Sequence, residues 1–173
     1  MLRLTLLADT HVPARARGLP EQVWSAVEEA DVVIHAGDWV TAALLDELGE
    51  RSRRLVAVFG NNDGPDLRAR LPEVAHAEFE GMRWGVVHET GARTRREDRM
   101  RHEYPDLDVL VFGHSHIPWD TEHAGLRLLN PGSPTDRRRQ PHCTFMTCTV
   151  ADGAIRDLEL HRLPPRSPTR PNR

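Results

Sequence analysis

Apolar residues come in short runs along this chain, and nearly every run gives out at a residue able to do chemistry. Residues 2–8 (LRLTLLA) read as a buried strand, followed at once by Asp9. Residues 20–30 place Val23, Trp24 and Val27 on one helical face, with Pro20 tolerated in the first turn. Residues 31–35 are strand-like, 41–48 are helical with Thr41 as N-cap, and 55–59 form a third strand. Strands separated by helices predict a parallel sheet wound with crossovers.

The pattern changes after Pro65. Residues 74–80 and 82–88 read as successive strands around Gly81. Residues 94–104 predict a polar helix stopped by Pro105; Arg93, Arg95, Arg96 and Arg99 read as its solvated face, given Glu97, Asp98 and Glu103 nearby, with a phosphate-contacting patch as the alternative. A short apolar strand at 109–112 ends in Gly113, and 119–123, 126–129, 143–150 and 154–160 are β-like. Asp152-Gly153 is a strong hairpin signal between the last two. Residues 163–173 carry four prolines and no aliphatic residue after Leu163, which predicts a disordered tail behind one domain over 1–162.

Composition narrows this picture only a little. A chain of 173 residues suits one domain with a core that needs no disulfide. A net charge of −3 gives no electrostatic case for nucleic acid or a membrane surface. Every basic side chain is arginine, so any cation that touches a phosphate can bind it bidentately. Cys143 and Cys148 lie five apart in a strand-like run and so point to opposite faces, against an intrastrand disulfide. Free thiols, no signal-peptide pattern and no run near the ~20 apolar residues of a membrane span lead us to expect a cytoplasmic protein.

The chemistry lies where the strands stop. Asp9-Thr10-His11, Gly37-Asp38, Gly60-Asn61-Asn62-Asp63, His88 and Gly113-His114-Ser115-His116 each follow a predicted strand. Together they offer hard oxygen and borderline nitrogen donors, a mixture that suits Mn, Fe or Zn. Asp9 and His11, like His114 and His116, have the i,i+2 spacing that shares one face of an extended segment. In an open α/β sheet, sites form beyond the carboxyl ends of strands, so five such ends can converge on one centre.

This ordered set resembles the calcineurin-like metallophosphoesterase superfamily, whose pattern runs D-x-H, G-D, G-N-x-(D/E), H, G-H-x-H. The likeness runs from Asp9 to the Asn130-Pro131-Gly132-Ser133 turn and is greatest to the small single-domain prokaryotic phosphodiesterases. It implies an α/β (α+β) fold, a four-layer α/β/β/α sandwich of two mixed sheets flanked by helices, with the metal site at strand C-terminal ends. Two divalent ions are implied, Mn by preference, with Zn, Fe, Ni or Mg as alternatives. Asp9, His11 and His116 would hold one ion with Asp38; Asp38 would bridge to a second held by Asn61, His88 and His114. Asp38, Asn61 and Asn62 are the expected catalytic residues, and His35 and Asp63 supporting ones.

The resemblance implies hydrolysis of a small-molecule phosphate ester by a hydroxide held between the ions. Family phosphatases often carry His after the Asn to protonate the leaving group; here Asn62 stands there, a poor proton donor. That favours diesters over monoesters, with a phosphomonoesterase or cyclic-nucleotide phosphodiesterase as alternatives. Two further departures are Glu89 after His88, where the family often has Gly, and Val12 in place of a glycine, able to crowd the entrance. The superfamily also includes a retromer subunit that acts by protein interaction, so a non-catalytic scaffold is the rival of another class. Related small enzymes are often dimers or larger, leaving a homodimer or higher oligomer open. His76, His102, His123, His142 and His161 lack motif context and read as structural. Arg137-Arg138-Arg139 follows the Asn-Pro-Gly-Ser turn and reads as surface charge, with a reach to substrate as the alternative.

Overall fold

A computed structural model describes residues 1–165; the rest of the proline-rich segment, 166–173, lies outside the described residues. Strands β1 (Leu2–Leu7), β2 (Val32–His35) and β3 (Leu55–Ala57) alternate with helices α1 (Glu21–Glu29) and α2 (Ala42–Arg51), and the three strands are parallel. A short helix, α3 (Pro65–Arg70), follows where no hydrophobic period is visible, because only Leu67 of its six residues is buried. The remaining elements are β4 (Val74–Phe79), β5 (Met82–Val87), α4 (Arg96–Glu103), β6 (Val109–Val111), β7 (Trp119–His123), β8 (Leu126–Asn130), β9 (Thr144–Ala151) and β10 (Ala154–Arg162).

Two five-stranded mixed sheets result, in the orders β10-β9-β1-β2-β3 and β4-β5-β6-β8-β7. The period-2 alternation of β1 shows how they stack. Leu4, Leu6 and Ala8 point inward and meet Trp84, Val86, Val109 and Val111 of the second sheet. Leu7 points the other way, with Val33, into Val23 and Val27 of α1 and Leu44 and Leu48 of α2. On the far side, Leu110, Phe112 and Leu128 take Met100 of α4. The layers run α/β/β/α, and each fully buried aliphatic side chain contributes about 1.5–3 kcal/mol to holding them together.

Several local expectations change. Pro20 is the N-cap of α1 and not part of its first turn; Thr41 is the N-cap of α2 as expected, but its hydroxyl makes no cap bond and donates to the Val12 carbonyl at 3.2 Å. Val12 is buried under the first sheet's helices and does not crowd the site entrance. The helix expected over 94–104 begins only at Arg96, because Arg95 is left-handed at φ 52°. Arg96 itself is buried, not part of a solvated face. Leu163 is buried too, and its N–H donates to the Cys143 carbonyl at 2.9 Å. Cys148 lies between the sheets while Cys143 packs on the helix side, the opposite faces that their spacing predicts. Asp152 and Gly153 both have positive φ, 52° and 69°, as a primed hairpin turn requires.

Candidate metal centre

Strands β1, β2 and β3 of one sheet and β5, β6 and β8 of the other end at the same edge of the sandwich. The loops leaving the first five carry Asp9 and His11, Asp38, Asn61, His88, and His114 and His116, and these seven side chains meet. Asp9, Asp38, His11, His88 and His116 are buried, whereas His114 is half-buried and Asn61 exposed.

The backbone does not bring them together as the i,i+2 spacing suggested. Asp9, His11, Asp38, His114 and His116 all have positive φ, from 45° to 69°, so the loops coil rather than extend. Such left-handed non-glycine residues carry strain and cluster at functional sites. Gly60 allows the closest approach, since a Cβ there would stand 2.1 Å from Asp38 Oδ1.

Two donor groups form, Asp9 with His11 and His116, and Asp9 with Asp38 and His88. His11 Nε2 lies 3.5 Å from Asp38 Oδ2 and 3.3 Å from His116 Nε2, and His116 Nε2 is 3.6 Å from Asp9 Oδ1. His88 Nε2 is 3.4 Å from Asp38 Oδ1 and 2.8 Å from Asn61 Oδ1, which also faces His114 Nδ1 at 3.0 Å. Asp38 thus faces both sets of imidazoles.

Backbone carbonyls fix the imidazole tautomers. His88 Nδ1 donates to the Ala36 carbonyl at 2.7 Å and His116 Nδ1 to the Asp136 carbonyl at 2.5 Å. Both Nε2 atoms are left with lone pairs turned inward, the orientation metal-binding histidines need. Asp9 Oδ2 is buried without any hydrogen-bond partner. An orphaned carboxylate oxygen among converging lone pairs fits a cation and little else.

Ionisation follows the same logic. Burial pushes the Asp9 carboxyl up to about 8, against the pull of His88. Burial also works to raise Asp38, but His88 and the two Asn62 donors outweigh it and hold Asp38 below the usual carboxylate range. Burial lowers His116 to about 4 and lowers His11 as well. His88 is opposite: burial disfavours its charge, yet Asp38 and Asp9 raise its pKa, so positive charge is welcome there.

The supporting residues do distinct work. Asp63 accepts four backbone N–H bonds, from Asp38 (3.0 Å), Trp39 (2.8 Å), Val40 (2.8 Å) and Gly60 (2.7 Å), and so ties the β2 and β3 loops together. His35, lowered to about 3 by burial, accepts from the Gly37 N–H and donates through Nε2 to Thr10 Oγ1 at 3.0 Å. It braces the loops that follow β1 and β2 without facing the centre. Asn62 grips Asp38, through its amide at 2.7 Å and its backbone N–H at 2.9 Å. Glu89 is exposed, 3.9 Å from His114 Nε2.

Other contributors carry little sequence signal. Carbonyls of Ala36 and Asp136 act through the backbone, which no motif encodes. Asn130 Nδ2 donates to the Gly113 carbonyl at 2.9 Å, and Ser133 Oγ to the Asp9 carbonyl at 2.7 Å, giving the Asn-Pro-Gly-Ser turn a bracing role. Arg138, read from sequence as surface charge, donates to the His114 carbonyl at 3.2 Å, and its charge reaches Asp9, His11 and His116.

Residues 2–153 match the calcineurin-like phosphoesterase superfamily domain. A probable metallophosphoesterase of Methanothermobacter thermautotrophicus is 37% identical over 163 residues, covering 91% of this chain and 90% of that protein. A phosphodiesterase of Methanocaldococcus jannaschii is 21% identical over 144 residues, 76% of this chain and 83% of that one. Chaetomium thermophilum Vps29 shares the fold, with a TM-score of 0.77 at 19% identity, over 94% of this chain and 97% of that chain.

Proposed function

Because the chain belongs to the calcineurin-like phosphoesterase superfamily, we propose that it is a cytoplasmic metal-dependent phosphodiesterase acting on a small phosphate diester. The observation that carries this reading is the buried Asp9 Oδ2, unpartnered among inward-facing imidazole nitrogens. In this reading Asp9, His11 and His116 hold one divalent ion with Asp38, and Asp38, Asn61, His88 and His114 hold the other, Mn by preference. Bound there, the ions would supply Lewis-acid activation of water and neutralise phosphate charge.

The chain's own residues do the rest. Asn62 and Asp63 fix Asp38 in the orientation that faces both sets of imidazoles. Arg138 adds a cation on the ligand loop at His114, placed to draw an anionic substrate inward. The amide of Asn62 is spent on Asp38 and has no acidic proton for a leaving group. Diesters with good leaving groups are therefore favoured, in keeping with the phosphodiesterase relative.

Paired assays with bis- and mono-p-nitrophenyl phosphate under a series of added divalent cations test this. The diester should be the faster substrate, and Asp38→Ala should cut metal-stimulated hydrolysis by at least about a hundredfold. Faster turnover of the monoester would overturn the diesterase assignment. Failure to retain metal and hydrolyse either ester would leave the protein-binding scaffold as the reading.

A further inference from the structure

Arg96 is the anomaly outside the centre. It is 7% exposed, and among the described residues its guanidinium faces aromatic rings and no carboxylate. Its Nε is sealed from solvent without a partner. It lies between two aromatic rings, with Cζ 4.9 Å from the Phe112 ring centre and 4.7 Å from that of Trp119. Arg93 sits over Trp119 as well, at 5.0 Å. The electrostatics are unfavourable: burial lowers the Arg96 pKa, Arg99 and Arg93 lower it further, and only Glu97 opposes them. Glu97 is itself engaged, accepting from Thr121 Oγ1 at 3.0 Å.

A buried charge without a counter-ion is costly, and proteins rarely keep one without use. Stacking on two rings recovers part of that cost and holds the guanidinium plane in place. The location gives the use. Phe112 immediately precedes the Gly113–His116 ligand segment and Trp119 closely follows it, while Arg99 donates to the Thr90 carbonyl two residues beyond His88. Through Phe112 and Trp119 the two arginines sit against the segment that carries His114 and His116, and Arg99 ties the same helix to the loop after His88.

We propose that Arg96, assisted by Arg93, forms an anion subsite beside the metal centre that receives a terminal phosphate of the substrate. This rests on the phosphodiesterase reading and deepens it: the favoured diester carries a second phosphate beyond the one that is cut. A planar guanidinium held on aromatic rings suits bidentate contact with phosphate oxygens.

The test follows the ¹H–¹⁵N signals of the Trp119 indole and the Arg96 Nε–H in the metal-loaded protein as inorganic pyrophosphate is added. Saturable shifts are expected at both, at least about tenfold weaker in Arg96→Met, which keeps the apolar packing, and weakened to a lesser degree in Arg93→Met. Trimethyl phosphate, which is neutral, should produce no such shift, a control that holds even if a variant fails to fold. Non-saturating shifts in the wild-type protein, equal shifts with the neutral ester, or unchanged binding in both folded variants would overturn the subsite. In a second arm, a 5′-phosphorylated dinucleotide should show a KM about tenfold or more below its unphosphorylated counterpart, a gap that narrows in Arg96→Met; no gap in the wild-type enzyme would overturn the substrate assignment. If neither dinucleotide is hydrolysed while the pyrophosphate shifts persist, the phosphodiesterase reading fails and the anion subsite stands.

Discussion

Asp9 shows what a single buried carboxylate implies about loading. Its pKa is raised from 3.8 to about 8 by burial, so between those values the folded, metal-free protein holds a proton that the unfolded chain has lost. This stabilising contribution is complete below 3.8 and is lost as pH rises through about 8. A cation reverses the sign, because it favours the ionised oxygen and must displace the proton. Metal binding near pH 6.5 should therefore release about one proton from Asp9, with His88 adding to it, and release less near pH 9. Calorimetry in buffers of different ionisation enthalpy measures this directly; proton release that does not change over that range would contradict the assignment of Asp9. Residue types were the most legible part of this chain. What the string of letters hid was conformation, since D-x-H and H-x-H look extended by spacing while Asp9, His11, His114 and His116 are left-handed.

Among the elements, strands were readable because burial writes a period into them, whereas α3 and the true start of α4 were not. Six residues of α3 bury one leucine, and Arg95 breaks its helix through a backbone angle that arginine does not advertise. The joints between elements are more decisive than the elements themselves. Asp63 is the clearest case: one carboxylate satisfies four N–H groups from two loops, three of them on the run Asp38 to Val40. Asp63→Ala should destabilise the protein by about 2–4 kcal/mol, since these donors lose their acceptor inside the protein. It should also weaken metal retention by about 10–100-fold. Urea unfolding with metal analysis of the folded fraction checks both; a stable variant with full metal content would show that the loops hold themselves.

At the scale of the molecule, the two sheets are the halves of one site, and the core between them sets its register. Sequence reading reached this architecture through the resemblance. Periodicity alone gave a wound parallel sheet and then a run of strands, with no sign of how they would stack. The tail boundary shows why local composition misleads: Leu163 stands in a proline-rich segment, yet its burial is decided by contacts made far away in sequence. A chain ending at Arg162 should unfold at lower urea concentration than one ending at Pro165, by about 1–3 kcal/mol, because Leu163 loses both its packing and its bond to Cys143. Equal stability would show that this leucine is dispensable. The coiled loops have a last consequence, for anyone who would copy this centre. Grafting the Asp-Thr-His and Gly-His-Ser-His strings onto another sheet transfers the donors but not their placement, which belongs to five left-handed residues and the carbonyls that lock their rings. A successful transplant would have to specify dihedral angles first and choose side chains second.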